Sequence, residues 1–423
     1  MIQISYLRDK KEEAIARLAK RGLQAEALVT QVLELDEKRR STQTKLDQLL
    51  AEANQWAREI GELFKKGEKE AAEVIRAKST AAKEEIKQLE EALGQAEKDM
   101  QDALVQLPNT PHESVPFGKT PEDNEVVLQH GEIPNLGDNA KAHWDLAADH
   151  DLIDFELGVK ITGAGFPVYK GKGARLQRAL INFFLDEALS HGYHEIQPPI
   201  VINEDSGFGT GQLPDKEGQM YYMPLDQLYM IPTAEVPITN LYRNVLLKEQ
   251  ELPIKHVGYT PCFRREAGSY GKDVRGLNRL HQFDKVEIVH FARPDESYAQ
   301  LEQMSSYVQS LLQKLELPYR VLRLCGGDMG FTSALTYDME VYSAAQGRWL
   351  EVSSVSNFET FQSNRLKCRF KNKEGKNELV HTLNGSALAL PRIVAALLEN
   401  NQDSEGHIRI PAALVPYTGF DKI

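Results

Sequence analysis

The sequence contains few cysteines and no long apolar run. Its three cysteines, Cys262, Cys325 and Cys368, are odd in number and far apart, which argues against a disulfide framework and against C-x-x-C metal spacing. No apolar segment approaches the roughly 20 residues that a membrane-spanning helix needs. The first residues carry charges where a signal peptide has its apolar segment. We therefore expect a cytoplasmic protein with reduced thiols and no membrane association.

Two common nucleotide-binding fingerprints are also missing. The glycine-rich segment GFGTGQLP lacks the spacing of a Walker A motif, and no Rossmann fingerprint occurs anywhere. The formal net charge of −12 argues against general affinity for nucleic acids, although it permits a local basic surface. An ATP-binding domain in this chain would have to use another scheme.

Residues 28–63 and 72–107 each carry an unbroken heptad seam, with steps that alternate between four and three residues. Only a short stretch centred on Gly67 separates them, so the sequence predicts an antiparallel coiled-coil hairpin with arms of roughly 50–55 Å. A short capping helix is predicted over residues 5–22. Acidic residues are interspersed among the cations along the hairpin, so this segment alone favours a solvated coiled-coil surface over an RNA-binding arm.

The heptads stop at Pro108, where a proline-rich stretch begins. This change predicts two domains, an N-terminal helical domain at residues 1–108 and a larger domain at residues 109–423, as expected for a chain of 423 residues. In the larger domain, predicted strands outnumber crossover helices. The pattern therefore favours an α+β fold, with an antiparallel sheet flanked by helices, over a doubly wound parallel sheet.

The strongest local signal is the segment CFRREAGSYGKDVRGLNRLHQFDKVE, residues 262–287. Its ends resemble strands, and the loop between them is basic and carries three glycines. Arg264 and Glu266 are expected to share one face of the first strand. A second set is expected to share one face of the second strand: Phe283, Lys285 and Glu287. Such a hairpin suits the wall of a pocket for a nucleotide and an amino acid.

Three stretches resemble, in the right order, motifs 1, 2 and 3 of the class II aminoacyl-tRNA synthetases. They are the predicted helix at residues 174–191 together with GYHEIQPPIV, the hairpin at 262–287, and NGSALALPR. Further segments look like seryl-tRNA synthetases in particular: KGKGARLQRALINF, GTGQLP, TAEVPITN, TYDMEVY, EVSSVSNFETFQSNR and HTLNGSALAL. The N-terminal hairpin resembles the tRNA-binding arm of that family, and the resemblance covers residues 1–423. It implies ATP-dependent activation of L-serine to seryl-adenylate, followed by transfer to tRNA-Ser, and to tRNA-Sec where that tRNA exists.

The resemblance also implies an ATP site with two catalytic arginines. Arg264 matches the motif 2 arginine that grips the α-phosphate and the serine carboxylate, and Arg392 matches the motif 3 arginine beside the γ-phosphate. Pro391 replaces the usual glycine before Arg392, but proline is favourable in the first turn of a helix. The other implied ATP-binding residues are Arg265, Glu266, Phe283, Glu351, Val352, Ser353 and Ser354. Among these, Glu266 would read the adenine amino group and Phe283 would lie under the adenine ring.

Metal binding is implied for Glu351 and Ser354, which would hold Mg²⁺ through ATP. The cysteine and histidine ligands of the zinc-dependent seryl enzymes have no matching cluster in the sequence, so zinc is not expected. The loop cations Lys272, Arg275 and Arg279 stay unassigned, and contact with the tRNA acceptor end is one use for them.

Serine binding is implied for Thr233, Ala234, Glu235, Arg264, Glu287 and Ser386. Thr382 and Asn384 are expected to support this pocket. A pocket that hydrogen-bonds the serine hydroxyl rejects alanine, because alanine leaves buried polar groups unpaired. The histidines, including His143, His281 and His381, are expected to have structural roles.

The family is homodimeric, which implies a dimer contact at the helix of residues 174–191 and at Pro199, and the long variable arm of tRNA-Ser would lie on the coiled-coil hairpin. Two alternatives stay open. An amino-acid:carrier-protein ligase shares the catalytic core but lacks the hairpin. A catalytically silent paralogue should have lost at least one of four residues that are all present: Arg264, Glu287, Glu351 and Arg392.

Overall fold

The computed structural model describes residues 1–137, 140–266 and 275–423, and it contains two compact units. The smaller unit comprises residues 2–19 and 23–108, and the larger unit comprises residues 1, 20–22 and 109–423. None of the helices in these described ranges combines the length and the apolar character that crossing a bilayer requires.

The smaller unit consists of four helices: α1 (Ile4–Asp9), α2 (Lys11–Ala19), α3 (Glu26–Lys66) and α4 (Lys69–Leu104). The predicted capping helix is interrupted at Lys10 and therefore forms two short helices. Helices α3 and α4 pack against each other, and we call this pair the arm. Every predicted seam position is buried or half-buried, which confirms the heptad assignment.

The turn between α3 and α4 lies where the sequence predicts it. Gly67 ends α3 with a φ of +82°, a left-handed conformation that glycine adopts at no steric cost. At 1.5 Å per residue, the 41 residues of α3 extend about 60 Å, slightly further than predicted. The antiparallel hairpin is confirmed.

The larger unit contains nine described helices: α5 (His143–Asp149), α6 (Phe155–Ile161), α7 (Gly171–Ser190), α8 (Glu204–Thr210), α9 (Glu235–Asn240), α10 (Ser297–Lys314), α11 (Phe361–Leu366), α12 (Leu390–Asn400) and α13 (Val415–Thr418). Its described strands are β1 (Glu125–His130), β2 (Ile153–Asp154), β3 (Val168–Tyr169), β4 (His194–Glu195), β5 (Val201–Ile202), β6 (Tyr222–Met223), β7 (Leu228–Met230), β8 (Leu246–Lys248), β9 (Ile254–Phe263), β10 (Gln282–Ala292), β11 (Tyr319–Arg323), β12 (Leu335–Ser343), β13 (Arg348–Asn357), β14 (Arg369–Lys371), β15 (Asn377–Leu379) and β16 (His381–Ala389).

Eight of these strands form the main sheet, in the order β1-β11-β12-β13-β16-β10-β9-β4. All neighbours pair antiparallel except β4 and β9, which are parallel at one edge. The predicted antiparallel sheet with flanking helices is confirmed. Helices α7, α10 and α12 pack against it and bury a core of aliphatic and aromatic side chains, in which Phe183 and Phe184 are among the largest.

From its sequence, the segment YHEIQPPIVIN is predicted to form one strand, but it forms two. Pro198 and Pro199 cannot donate to a strand ladder, and they separate β4 from β5. Strand β4 lies at the sheet edge, as the prolines indicate, whereas β5 pairs with β7 in a separate small sheet. The prediction of a single strand was therefore wrong.

Candidate active site

The β9–β10 hairpin supplies the frame of the candidate site. Strand β10 lies between β9 and β16 and is therefore an interior strand of the main sheet. Phe283, Lys285 and Glu287 follow one another at every second position of β10, as predicted. Strand β9 ends at Phe263, however, and Glu266 has a φ of +50°. The prediction that Arg264 and Glu266 alternate on the strand was therefore wrong, because both lie beyond its end.

Arg264 nevertheless reaches the predicted wall. Its guanidinium carbon lies 5.1 Å from the centre of the Phe283 ring, in a cation–π arrangement. Its Nε donates to the carbonyl oxygen of Pro232 at 3.3 Å, next to the segment that begins at Thr233. Among the described residues, no acceptor is hydrogen-bonded to its Nη nitrogens, which leaves those donors available for an anion.

The neighbouring charged residues are held by local contacts. Arg265 donates from Nε to the carbonyl oxygen of Met220 at 3.1 Å, and its guanidinium lies over the Tyr221 ring. The Glu266 carboxylate forms an ion pair with Arg279. Lys272 falls outside the described residues. If Glu266 binds the adenine amino group, its carboxylate must therefore do so while it is paired with Arg279, or it must first release Arg279.

Among the loop cations, Arg275 has its guanidinium carbon 4.5 Å from the centre of the Trp144 ring, on α5. Arg275 and Arg279 thus both make contacts within the larger unit.

Strand β13 carries a bulge at Val352. Met339 of β12 lies opposite Ser353, but the next residue, Glu340, lies opposite Glu351, so Val352 has no partner in register. Val352 belongs to the core, and the Ser353 hydroxyl donates to the carbonyl oxygen of Ser386 at 2.6 Å.

The other two residues of this segment face the opposite side of the sheet. Glu351 lies opposite Glu340 and Ser354 lies opposite Asp338. Because Asp338 and Glu340 are two residues apart on β12, their partners share one face. Asp338 has a pKa raised well above its ordinary value, first because it is buried and second because the Glu351 carboxylate is near. Sequence reasoning missed Asp338, although it lies in the quoted segment TYDMEVY.

Arg392 contacts both this face of the sheet and the C-terminal end of the basic loop. Its Nη1 donates to the carbonyl oxygen of Glu351 at 2.6 Å and lies 3.7 Å from the carboxylate of the same residue. Its Nε donates to the carbonyl oxygen of Asn278 at 3.1 Å. Pro391 lies in the first turn of α12, so the helix begins as predicted despite the missing glycine.

The oxygen donors on this face fit Mg²⁺ better than zinc. Glu351 has an exposed carboxylate, Ser354 offers a hydroxyl, and Oδ1 of Asp338 has no hydrogen-bond partner among the described residues. Hard oxygen ligands of this kind suit Mg²⁺, which keeps waters and phosphate oxygens in its shell. Within the described ranges, no group of three or more His, Cys, Asp or Glu residues could hold a metal by itself.

A second cluster lies near Arg264 and contains two buried carboxylates, Glu235 and Glu287. Glu287 is fully buried, with Oε2 2.6 Å from Nζ of Lys285. Its Oε1 accepts a hydrogen bond from Nδ2 of Asn384 at 2.9 Å. Ser386 lies directly opposite Glu287 on β16. Burial raises the pKa of Glu287, and Lys285 opposes this shift.

Glu235 is the first residue of α9 and follows the buried Ala234. Its backbone N–H donates to Oγ1 of Thr233 at 3.2 Å, and its carboxylate accepts a hydrogen bond from Nε2 of Gln362 at 2.7 Å. Burial, and then the negative charge of Glu287, raise the pKa of Glu235 to about 7.

The structure therefore brings the sequence-predicted serine-site residues together in one cluster. It also adds two residues to that cluster. Lys285 is the ion-pair partner of Glu287, and Gln362 is the hydrogen-bond donor to Glu235. Gln362 lies in the quoted segment EVSSVSNFETFQSNR, but nothing in the local pattern separates it from an ordinary helix residue. The Thr382 hydroxyl donates a hydrogen bond to Gln362, and the Asn384 amide donates one to Glu287, so both residues border this cluster.

The buried histidines make structural contacts. His143 accepts a hydrogen bond from the Leu277 backbone N–H at Nε2, so its Nδ1 carries the proton toward Glu399. The hydrogen bonds that Glu399 receives from His143 and Ser343 outweigh its burial and lower its pKa.

Family models match most of the chain. One described as the seryl-tRNA synthetase N-terminal domain matches residues 1–111, and one described as the tRNA synthetase class II core domain (G, H, P, S and T) matches residues 223–401. The serine–tRNA ligase of Salinibacter ruber is 52% identical over 424 residues, and that of Chlorobium luteolum is 48% identical over 427 residues. In both cases the match covers 100% of this chain and 99% of the relative.

Solved structures agree with these matches. The seryl-tRNA synthetase from Pyrococcus horikoshii complexed with ATP has a TM-score of 0.93 at 36% identity, covering 100% of this chain and 99% of that one. The cytoplasmic serine–tRNA ligase from Naegleria fowleri in complex with AMP has a TM-score of 0.88 at 26% identity, covering 100% and 98%. The chain therefore belongs to the seryl-tRNA synthetase family and has its class II catalytic core.

Proposed function

We propose that this chain activates L-serine with ATP to form seryl-adenylate and then transfers serine to tRNA-Ser. The observation that carries the proposal is the position of Arg264. Its guanidinium lies over Phe283, a flat aromatic surface suited to an adenine ring, and its Nε is tied to the segment that leads into Glu235. The Arg264 guanidinium thus lies between Phe283, which is proposed to stack on adenine, and the residues that are proposed to bind serine. Full-length similarity to serine–tRNA ligases supports this assignment.

Adenylation joins two anions. A serine carboxylate oxygen forms a bond to the α-phosphorus, the bond from that phosphorus to the bridging oxygen breaks, and pyrophosphate leaves. The free Nη donors of Arg264 suit the carboxylate and the α-phosphate, because a guanidinium fork binds two oxygens at once. Arg392 is proposed to contact the γ-phosphate, with Arg265, Glu266, Val352 and Ser353 completing the ATP site.

Glu351 and Ser354 are proposed to hold Mg²⁺ through ATP. The ion, when bound, supplies charge neutralisation of the phosphates and support for the leaving pyrophosphate. The residues that position it are those on the face formed by the β13 bulge.

Serine is proposed to bind among Thr233, Ala234, Glu235, Glu287 and Ser386. Glu287 already has a cation, Lys285, whereas Glu235 forms no ion pair among the described residues. Glu235 therefore suits the ammonium group of the amino acid. The buried polar groups near Glu287 suit the hydroxyl, and alanine would leave them unpaired.

We assign residues 1–108 to tRNA binding and residues 109–423 to catalysis. The arm is proposed to contact the long variable arm of tRNA-Ser, and tRNA-Sec where it exists. We also propose a homodimer formed through α7 and Pro199, since Leu189 and Ile200 are large apolar residues with exposed side chains there. A cytoplasmic location follows from the use of tRNA.

The test is amino-acid-dependent exchange between ATP and pyrophosphate, followed by charging of tRNA-Ser. Serine should support exchange and alanine and threonine should not; equal exchange with all three would contradict the proposal. Removing residues 1–107 should spare exchange and depress charging. Transfer of serine to a carrier protein in place of tRNA would favour the carrier-protein ligase, although the arm argues against it. Absence of all exchange would favour the silent paralogue.

A further inference from the structure

Gln362, on α11, is buried and uses both of its amide donors. It is 1% exposed, and its Nε2 donates to Oε1 of Glu235 at 2.7 Å and to the carbonyl oxygen of Thr210 at 3.2 Å. Its Oε1 accepts a hydrogen bond from the Thr382 hydroxyl at 2.7 Å. A backbone carbonyl can only accept, so the amide cannot be reversed without losing this bond. The orientation of Gln362 is therefore fixed by its neighbours.

The charges around Glu235 explain why a neutral donor is useful at this position. The charged groups that face it are Glu287 and Lys285 from β10 and Arg264 from the end of β9. Lys285 is engaged with Glu287, and Arg264 is directed to Pro232 and Phe283. A cation in place of Gln362 would neutralise Glu235 before the substrate arrived. An amide stabilises the ionised carboxylate and leaves its charge uncompensated.

We infer that Gln362 is a positioning residue for the amino-acid substrate, which favours the ionised form of the Glu235 carboxylate and aims it at the substrate ammonium, with Thr382 fixing the orientation of the amide. The inference rests on the proposed function, since it needs Glu235 to bind serine. It assigns Gln362 no contact with serine or ATP. Gln362 should therefore affect the binding of serine and not of ATP, and it should act through the ionised form of Glu235.

Two consequences separate this role from general structural support. Loss of the Gln362 donor should raise the KM for serine and leave the KM for ATP unchanged. It should also move the pH dependence of kcat/KM for serine to higher pH. In the free enzyme Glu235 has a pKa of about 7, and removal of a hydrogen bond to its ionised form raises that pKa further.

The experiment compares Gln362→Met with the wild type in serine-dependent exchange from pH 6 to pH 9. Methionine keeps the volume and removes the donor. We expect the KM for serine to rise about tenfold, consistent with loss of one hydrogen bond to a charged group. We also expect the midpoint of the pH profile to move up by about one unit. Gln300→Met, at another buried glutamine on α10, is the matched control and should change neither quantity.

Thr382→Val provides a second route, because it frees the Gln362 amide and leaves both glutamine and glutamate in place. It should shift the profile in the same direction by a smaller amount. An unchanged pH profile and KM for serine in a folded Gln362→Met enzyme would overturn the inference. If that variant fails to fold, an unchanged profile in Thr382→Val would overturn it. Failure of the proposed function itself is distinguishable, since it would remove serine-specific exchange from the wild type.

Discussion

Glu351 and Ser354 are three residues apart on β13 and yet face the same side of the sheet. In a regular strand, residues at this spacing point to opposite faces. The unpaired Val352 between them provides the extra residue that reverses the alternation. The bulge therefore brings a carboxylate and a hydroxyl together beside Asp338, on the face that we propose for Mg²⁺.

Replacing Glu351 by glutamine should increase the Mg²⁺ concentration needed for half-maximal exchange. Loss of the charged ligand should raise this concentration about tenfold or more, while saturating Mg²⁺ restores part of the rate. The measurement is a Mg²⁺ titration of exchange at fixed ATP and serine. Glu378→Gln removes an exposed glutamate on β15 and serves as the control. An unchanged Mg²⁺ dependence would contradict the metal assignment of Glu351.

Replacing Arg264 by alanine should abolish exchange without unfolding the protein. The guanidinium is half-buried and, within the described ranges, makes one hydrogen bond to the main chain, so its loss affects the two anions more than the fold. We expect exchange to fall by about 100-fold or more, and lysine should restore little because it lacks the planar fork. Arg369→Ala, at an exposed arginine, should behave as the wild type. An active Arg264→Ala enzyme would exclude the assigned role.

Replacing Glu235 by glutamine should stabilise the protein at pH 8 but not at pH 4.5. The pKa of Glu235 is raised on folding, so its favourable contribution is complete below the unfolded value of 4.5 and is lost as the pH rises toward about 7. That shift corresponds to about 3 kcal/mol in the free energy of unfolding. Urea unfolding of both proteins across this range measures the difference. A gain of equal size at both pH values would show that Glu235 does not titrate as described.

The same Glu235→Gln variant should lose serine-dependent exchange. An uncharged amide cannot balance an ammonium group, so gain of stability and loss of activity should occur together. Retention of normal KM for serine would argue against binding of the ammonium at this position.

Reversing the charge at the arm tip should weaken tRNA use alone. Lys65, Lys66 and Lys69 are exposed around Gly67. Their triple replacement by glutamate should raise the KM for tRNA-Ser about tenfold at low salt and less at high salt, because contacts with phosphates are screened. Exchange should not change. Neutralising Glu62, Glu68 and Glu70, also exposed near the tip, should not raise the KM for tRNA-Ser. Unchanged charging in the lysine variant would show that the tip does not contact tRNA.

The arm was predictable in detail because its signal is local. Heptad spacing and Gly67 fix both helices and the turn without knowledge of any distant contact. The sheet was predictable in type, and the resemblance identified most of the residues that line the candidate site.

The bulge at Val352 was not predictable, because it is defined only by pairing between β12 and β13. Gln362 was missed for a related reason. Its three hydrogen-bond partners, Thr210, Glu235 and Thr382, are distant in sequence and meet only in the fold. At Glu266, strand alternation failed because β9 ends at Phe263 and Glu266 itself has a left-handed conformation.

The heptad seams of the arm set the steps in which its length can change. Adding one heptad to each helix would return the same side chains to the seam and move the Gly67 turn outward by about 10 Å. A single inserted residue would instead rotate every later seam residue by about 100°, out of contact with the other helix. The length of the arm should therefore change only in steps of one heptad per helix. Relatives with longer or shorter arms should differ by whole heptads in both helices.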